Sequence, residues 1–179
     1  MSIQKIYQQK KSEIRSRLDE FKSLPEKECL KEHIFCLLTP QSQAKKCWQA
    51  VEEIFALPER ELTKKNLVKI LSTKTRFHHT KSGRVLAALQ NWGNTKTILQ
   101  EQNSFELRNQ LAEKINGYWL KEASHFLRNV GRSDNQIAIL DRHILRNLRA
   151  LNLIRETKVN SKKDYLQIEK IFISFASNQ

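Results

Sequence analysis

Glycine and proline, the residues that punctuate a chain, are scarce in this one: 4 Gly and 3 Pro in 179 residues. So few turn residues cannot supply the repeated tight reversals of a hairpin-rich β fold. The branched apolar residues agree, with 22 Leu and 15 Ile against 5 Val. They recur at three- to four-residue spacing, the period of a helix with one buried face. The chain reads as all-α.

The pattern divides into amphipathic segments. Ile3, Ile6, Tyr7, Ile14, Leu18 and Phe21 share one side of a first helix that ends before Pro25. Leu30, Ile34, Leu37 and Leu38 mark a second, broken at Thr39-Pro40. Ser42 is the expected N-cap of a third, with Ala44, Cys47, Trp48, Val51, Ile54 and Phe55 as its stripe. Leu62, Leu67, Ile70 and Leu71 give a fourth. Val85, Leu86 and Leu89 give a fifth that runs to Trp92-Gly93. Ser104 opens a helix with Leu107, Leu111 and Ile115 inward. Near the C-terminus, Ser161-Lys-Lys-Asp164 forms a capping box ahead of Tyr165, Ile168, Ile171, Phe172 and Phe175. Neither repeats nor long linkers interrupt this series, so residues 1–179 are expected to form a single domain.

Charge narrows the class of partner. Lys and Arg number 32 against 19 Asp and Glu, a formal charge of +13. A hydrophobic content of 39% is too high for a disordered polycation, which leaves a folded basic domain and a polyanionic partner, nucleic acid first. No stretch approaches the roughly 18 uninterrupted apolar residues of a membrane span. Met1–Lys11 lacks the apolar centre of a secretory signal, so the expected location is the cytoplasm. Cys29, Cys36 and Cys47 include no CxxC pair and are read as thiols in a reducing compartment. Three cysteines also fall short of the four that an iron–sulfur cluster requires, and no metal site is expected.

The stretch from about 104 to 131 carries the chemistry. One helix ends near Ile115, Asn116-Gly117-Tyr118-Trp119 allows only a tight turn, and a second helix runs from Leu120 to Asn129 with Gly131 as its stop. The free N–H groups at such a helix start form an anion site, suited to a backbone phosphate or simply to a packing turn. Lys121 falls in the first turn, where the helix dipole disfavours a cation. It is either a nucleophile pushed toward its neutral amine or a lysine that touches phosphate. Ile137-Ala138-Ile139-Leu140 then leads to Asp141, an N-cap whose carboxylate the cap would also aim at a pocket.

Lys121-Glu-Ala-Ser-His-Phe-Leu-Arg-Asn-Val-Gly131 with Ala138-Ile-Leu-Asp-Arg-His-Ile144 resembles the helix-hairpin-helix DNA glycosylase/AP lyases. Within that superfamily it is most similar to the archaeal-type, second class of 8-oxoguanine DNA glycosylases. Phe35-Cys-Leu-Leu-Thr-Pro-Gln-Ser-Gln-Ala44 and Arg76-Phe77 before Lys81 match as well. The resemblance implies two small helical lobes around the hairpin, with a Lys/Asp active site in the cleft. It implies that Lys121 attacks the sugar C1′ and forms a Schiff base, and that Asp141 stabilises the cationic sugar. Gly117, Trp119 and His143 fall at positions that bind DNA phosphate, while Gln41, Arg76 and Phe77 fall near the lesion or act as wedge. His143 also reads as an interior helix histidine, and Phe77 as a core aromatic. The implied partner is duplex DNA containing oxidised guanine or an abasic site, bound by a monomer associated with the nucleoid. No cofactor is implied, though the hairpin admits a monovalent cation.

The chain departs from that pattern at three places. Trp119 stands where the hairpin's second glycine is usual, which predicts a distorted turn or a stacking role. The connection through Arg132-Ser-Asp-Asn-Gln136 is longer than usual and is expected to be exposed. The family's C-terminal lysine, which helps recognise the oxidised base, has no counterpart before Gln179. Alternatives therefore stay open: an AP lyase, a glycosylase for another lesion, or a non-catalytic module that binds damaged DNA.

Overall fold

Leucine-rich amphipathic segments without β-forming turns have one economical solution, helices stacked on a common apolar core. A computed structural model describes residues 3–178; residues 1, 2 and 179 and the side chain of Ile3 lie outside the described residues. Among these, regular structure is all helical: α1 (Ile3–Lys22), α2 (Glu26–Leu38), α3 (Ala44–Phe55), α4 (Lys64–Ser72), α5 (His78–Gln90), α6 (Trp92–Ile98), α7 (Ser104–Lys114), α8 (Leu120–Asn129), α9 (Arg142–Ala150) and α10 (Lys162–Ser177). A 3-10 turn at Glu59–Glu61 precedes α4.

Helix starts follow the capping residues, with three corrections to the sequence reading. Asn103 caps α7 through the Phe105 and Glu106 N–H groups, and Ser161 caps α10 through Asp164 N–H at 3.1 Å. Asp164 returns its carboxylate to the Asn160 N–H, one residue earlier than a capping box would place it. Ser42 does not cap α3; Gln43 holds that position, and the Ser42 hydroxyl is engaged by Arg76 N–H and Lys81 Nζ instead. Trp92-Gly93 does not end a helix but begins α6, because Trp92 turns inward to the core and its indole N–H reaches Glu26.

Two apolar cores result. The larger contains Ile34, Leu37, Leu38, Val51, Leu67, Leu71, Leu107, Leu111, Ala123, Phe126 and Leu127, from α2 to α8. The smaller contains Leu120, Ala138, Leu140, Leu145, Leu148 and Tyr165, from the start of α8, the 137–140 lead-in, α9 and α10. These are the two lobes, and they are unequal. The face expected of α1 is buried at Phe21, whereas Ile6, Tyr7 and Ile14 are exposed.

The lead-in to Asp141 is neither helix nor strand, so its backbone groups find partners on α10. Tyr165 Oη donates to Ala138 O at 2.7 Å and accepts the Leu140 N–H at 3.4 Å. Glu169 Oε1 accepts the Ala138 N–H at 2.7 Å and pairs with Arg108 Nη1 at 2.5 Å. Arg108 and Glu169 are both buried, so each depends on the other for its charge to be tolerated.

The hairpin is anchored to the larger core in a similar way. Tyr118 Oη lies 2.8 Å from His33 Nδ1 and donates to His33 O at 3.2 Å. Burial drives the His33 imidazole from its ordinary 6.5 to about 3. Between those values the unfolded chain binds a proton that the native state excludes. The His33 contribution is therefore complete above pH 6.5 and is lost as the pH falls toward 3.

Two stability measurements follow. In urea unfolding between pH 7.5 and 5, His33→Gln should show a dependence on pH shallower than wild type by about 1.4 kcal/mol per pH unit below pH 6.5; an unchanged slope would show that His33 titrates normally. At pH 7.5, Tyr165→Phe should cost about 1–3 kcal/mol by stranding Ala138 O and Leu140 N–H. Glu169→Ala should cost more, about 3–5 kcal/mol, because Arg108 is left buried and unpaired. The reverse order would contradict the clamp.

Candidate active site

The turn between α7 and α8 is made by one glycine. Gly117 has φ 103°, a value at which any side chain is strained, and a Cβ there would also push aside the flexible end of Arg84, 2.7 Å away at Cδ. Trp119 is extended, with φ −125° and ψ −174°, so the second glycine of the usual pattern is not needed and Trp119 carries no left-handed strain. Its ring is partly exposed and meets the Tyr165 ring edge-on at 5.4 Å between centroids. The first N–H groups of α8 have no carbonyl four residues behind them, the condition for an anion site. Glu122 already takes up the Trp119 N–H at 3.3 Å.

Lys121 follows from how α8 is buried. Leu120 enters the smaller core and Ala123 the larger, which leaves Lys121 at the seam between the lobes. Its Nζ lies 2.8 Å from Glu122 Oε1, an ion pair within the first turn of α8. Glu122 was not singled out from sequence. A Glu at the third helical position is a capping-box signal, hidden here because Trp119 replaces the usual Ser or Thr.

Asp141 caps α9 as expected, and it does so with one oxygen. His143 N–H and Ile144 N–H both donate to Oδ1 at 2.8 Å, which holds the carboxylate rigid and leaves Oδ2 outside the cap. His125, one turn after Lys121, feels both groups. Burial first, then Arg128 and Lys121, lower its imidazole to about 4, while Asp141 pulls the other way. Lys121 and Asp141 therefore both lie within electrostatic reach of the His125 imidazole. His143 is exposed on α9, not interior, and shares its surface with Arg142, Arg146 and Arg149. The connection after Gly131 is exposed at Asp134, Asn135 and Gln136, yet it is pinned: Arg132 donates to Leu99 O and Glu101 O, and Asp134 accepts from Ser104.

The remaining candidate residues lie in the α2–α3 and α4–α5 loops. Gln41 and Phe77 are exposed and have φ of 53° and 58°, left-handed values that cost roughly 1–2 kcal/mol each without glycine. Phe77 is thus not a core aromatic; its ring lies under the Arg76 guanidinium at 5.3 Å. Among the described residues no group of three His, Cys, Asp or Glu side chains is placed to hold a metal ion.

The chain has relatives among known proteins. Residues 14–179 match the family described as 8-oxoguanine DNA glycosylase. An 8-oxoguanine DNA glycosylase/AP lyase of Fusobacterium nucleatum is 38% identical over 94% of this chain and 82% of its own. Its counterpart in Methanocaldococcus jannaschii is 39% identical over 96% of this chain and 86% of its own. The crystal structure of the M. jannaschii glycosylase superposes with a TM-score of 0.82 at 34% identity, over 98% of this chain and 85% of that one. A second structure of that enzyme, in complex with 15mer DNA containing 8-oxoguanine, gives 0.81 at 32% identity over 94% and 82% of the two chains. With its fold, its hairpin and nearly its whole length accounted for in this way, the chain belongs to the helix-hairpin-helix 8-oxoguanine DNA glycosylase family.

Proposed function

We propose that this protein removes 8-oxoguanine from duplex DNA and cleaves the resulting abasic site. The observation that carries the reading is a pair of groups: a part-buried amine at the start of α8 and a rigidly capped carboxylate at the start of α9, both within electrostatic reach of His125. Relatives that share this chain over most of its length bear the name 8-oxoguanine DNA glycosylase/AP lyase.

In this reading the Lys121 nitrogen bonds to the sugar C1′ as the glycosidic bond breaks. The bonding pair leaves with the base, which takes up a proton. Positive charge builds on the sugar during that step, and Asp141 Oδ2, which the helix cap leaves unused, would answer it. The amine then loses its protons as the ring oxygen departs with one, giving the imine. Loss of a proton from C2′ expels the 3′ phosphate, and water later releases the enzyme. The chemistry draws on the amine and the carboxylate, without a cofactor.

Binding is assigned to the backbone. The hairpin at Gly117 and Trp119, together with His143 and the exposed arginines of α9, would hold phosphates on either side of one extruded nucleotide. Gln41, Arg76 and Phe77 would occupy the space that the nucleotide leaves. No helix among the described residues is long and apolar enough to cross a membrane, and we place the protein in the cytoplasm on the nucleoid.

Borohydride reduction in the presence of duplexes carrying 8-oxoguanine or an abasic site tests the assignment. Wild type should be trapped on both, and Lys121→Gln on neither. Asp141→Asn should excise about 10²–10³ more slowly while still binding DNA. Trapping on the abasic duplex alone would reduce the activity to an AP lyase. Salt-sensitive binding with no trapping would make the protein a non-catalytic binder.

A further inference from the structure

Two exposed residues with left-handed backbones, Gln41 and Phe77, stand in neighbouring loops, and a single buried cation ties those loops together. Lys81, on α5, is 2% exposed. Its three N–H donors are all used: Leu38 O at 2.7 Å, Pro40 O at 2.8 Å and Ser42 Oγ at 2.9 Å. The Ser42 hydroxyl is used as fully. It accepts from Lys81 and from the Arg76 N–H at 3.0 Å, and donates to Pro40 O at 3.4 Å. The residues on both sides of Gln41, and the residue before Phe77, therefore hang on the same two side chains.

Core packing does not call for this arrangement. An apolar side chain at 81 would fill the volume, whereas a lysine so deep is rare and must be compensated at every donor. Left-handed backbone at a non-glycine residue persists where its surroundings over-determine it, and such residues gather at functional sites. The clasp also borders the seam. Burial first, with Arg84, Arg76 and Lys121 adding to it and Cys47 opposing, lowers Lys81 to about 8.

We propose that Lys81 and Ser42 are positioning residues for nucleotide extrusion, their clasp holding the Gln41 and Phe77 tips next to each other in the strained, exposed geometry that enters the duplex beside the lesion. This rests on the wedge reading of Gln41 and Phe77. Neither Lys81 nor Ser42 touches the reacting sugar. Their effect falls on the step in which a paired, stacked base is drawn out, and an abasic site has no base to extrude.

The test compares two single-turnover reactions in the same duplex, excision of 8-oxoguanine and cleavage of a preformed abasic site. Ser42→Ala and Lys81→Met should each slow excision by at least about tenfold and leave abasic cleavage within about twofold of wild type. Excision should recover when the lesion sits in an unpaired bulge, where extrusion costs less. Ser42→Ala removes one hydroxyl and keeps the comparison available if Lys81→Met unfolds, with circular dichroism checking both. Equal losses in both reactions would mean a structural role and overturn the proposal. So would unchanged excision in folded variants that lack the clasp. Gln41→Ala and Phe77→Ala separate the two layers: if these keep wild-type excision, the wedge reading fails and the clasp loses its purpose. If they slow excision while Ser42→Ala and Lys81→Met do not, the clasp alone is wrong.

Discussion

Everything at the seam depends on α8 being buried by two cores within one turn. Leu120 is drawn into the smaller core and Ala123 into the larger, so the residue next to Leu120 has nowhere to go but the boundary. Hydrophobic burial is non-directional, but a helix with two partners turns it into a placement. The start of α8 is held by Tyr118 against His33 on one side and by the edge of Trp119 against Tyr165 on the other. Lys121 sits between two fixed points.

Asp141 is placed by a different device. The lead-in before it is neither helix nor strand, and α10 supplies hydrogen bonds to its backbone through Tyr165 and Glu169. The same Tyr165 ring contacts the hairpin at Trp119. One side chain thus touches the approaches to both Lys121 and Asp141. The departure from the family's hairpin pattern has a local reason as well: Gly117 does the turning, Trp119 is merely extended, and its large ring is used as packing surface.

Sequence reading succeeded where the cause is local. The bounds of α8, the cap at Asp141 and the all-helical class follow from spacing and from residues within one turn of each other. It failed where the partner is far along the chain. Ser42 reads as an N-cap because its true partners, Arg76 and Lys81, are 34 and 39 residues away. Arg108 and Glu169, 61 residues apart, look like two surface charges until the fold buries them together. Phe77 has no periodicity to place it, and only the backbone conformation shows that it faces outward. Trp92-Gly93 has the signature of a stop, and only the pull of the core on Trp92 makes it a start.

Which amine meets the sugar decides the proposed chemistry. Two lysines border the seam, Lys121 half-buried and ion-paired, and Lys81 deeper and fully hydrogen-bonded. Proteolysis and mass spectrometry of the borohydride-reduced adduct with 8-oxoguanine duplex would locate the bond directly. The account predicts the added mass on the peptide that contains Lys121; an adduct on Lys81 or on the N-terminal amine would contradict it.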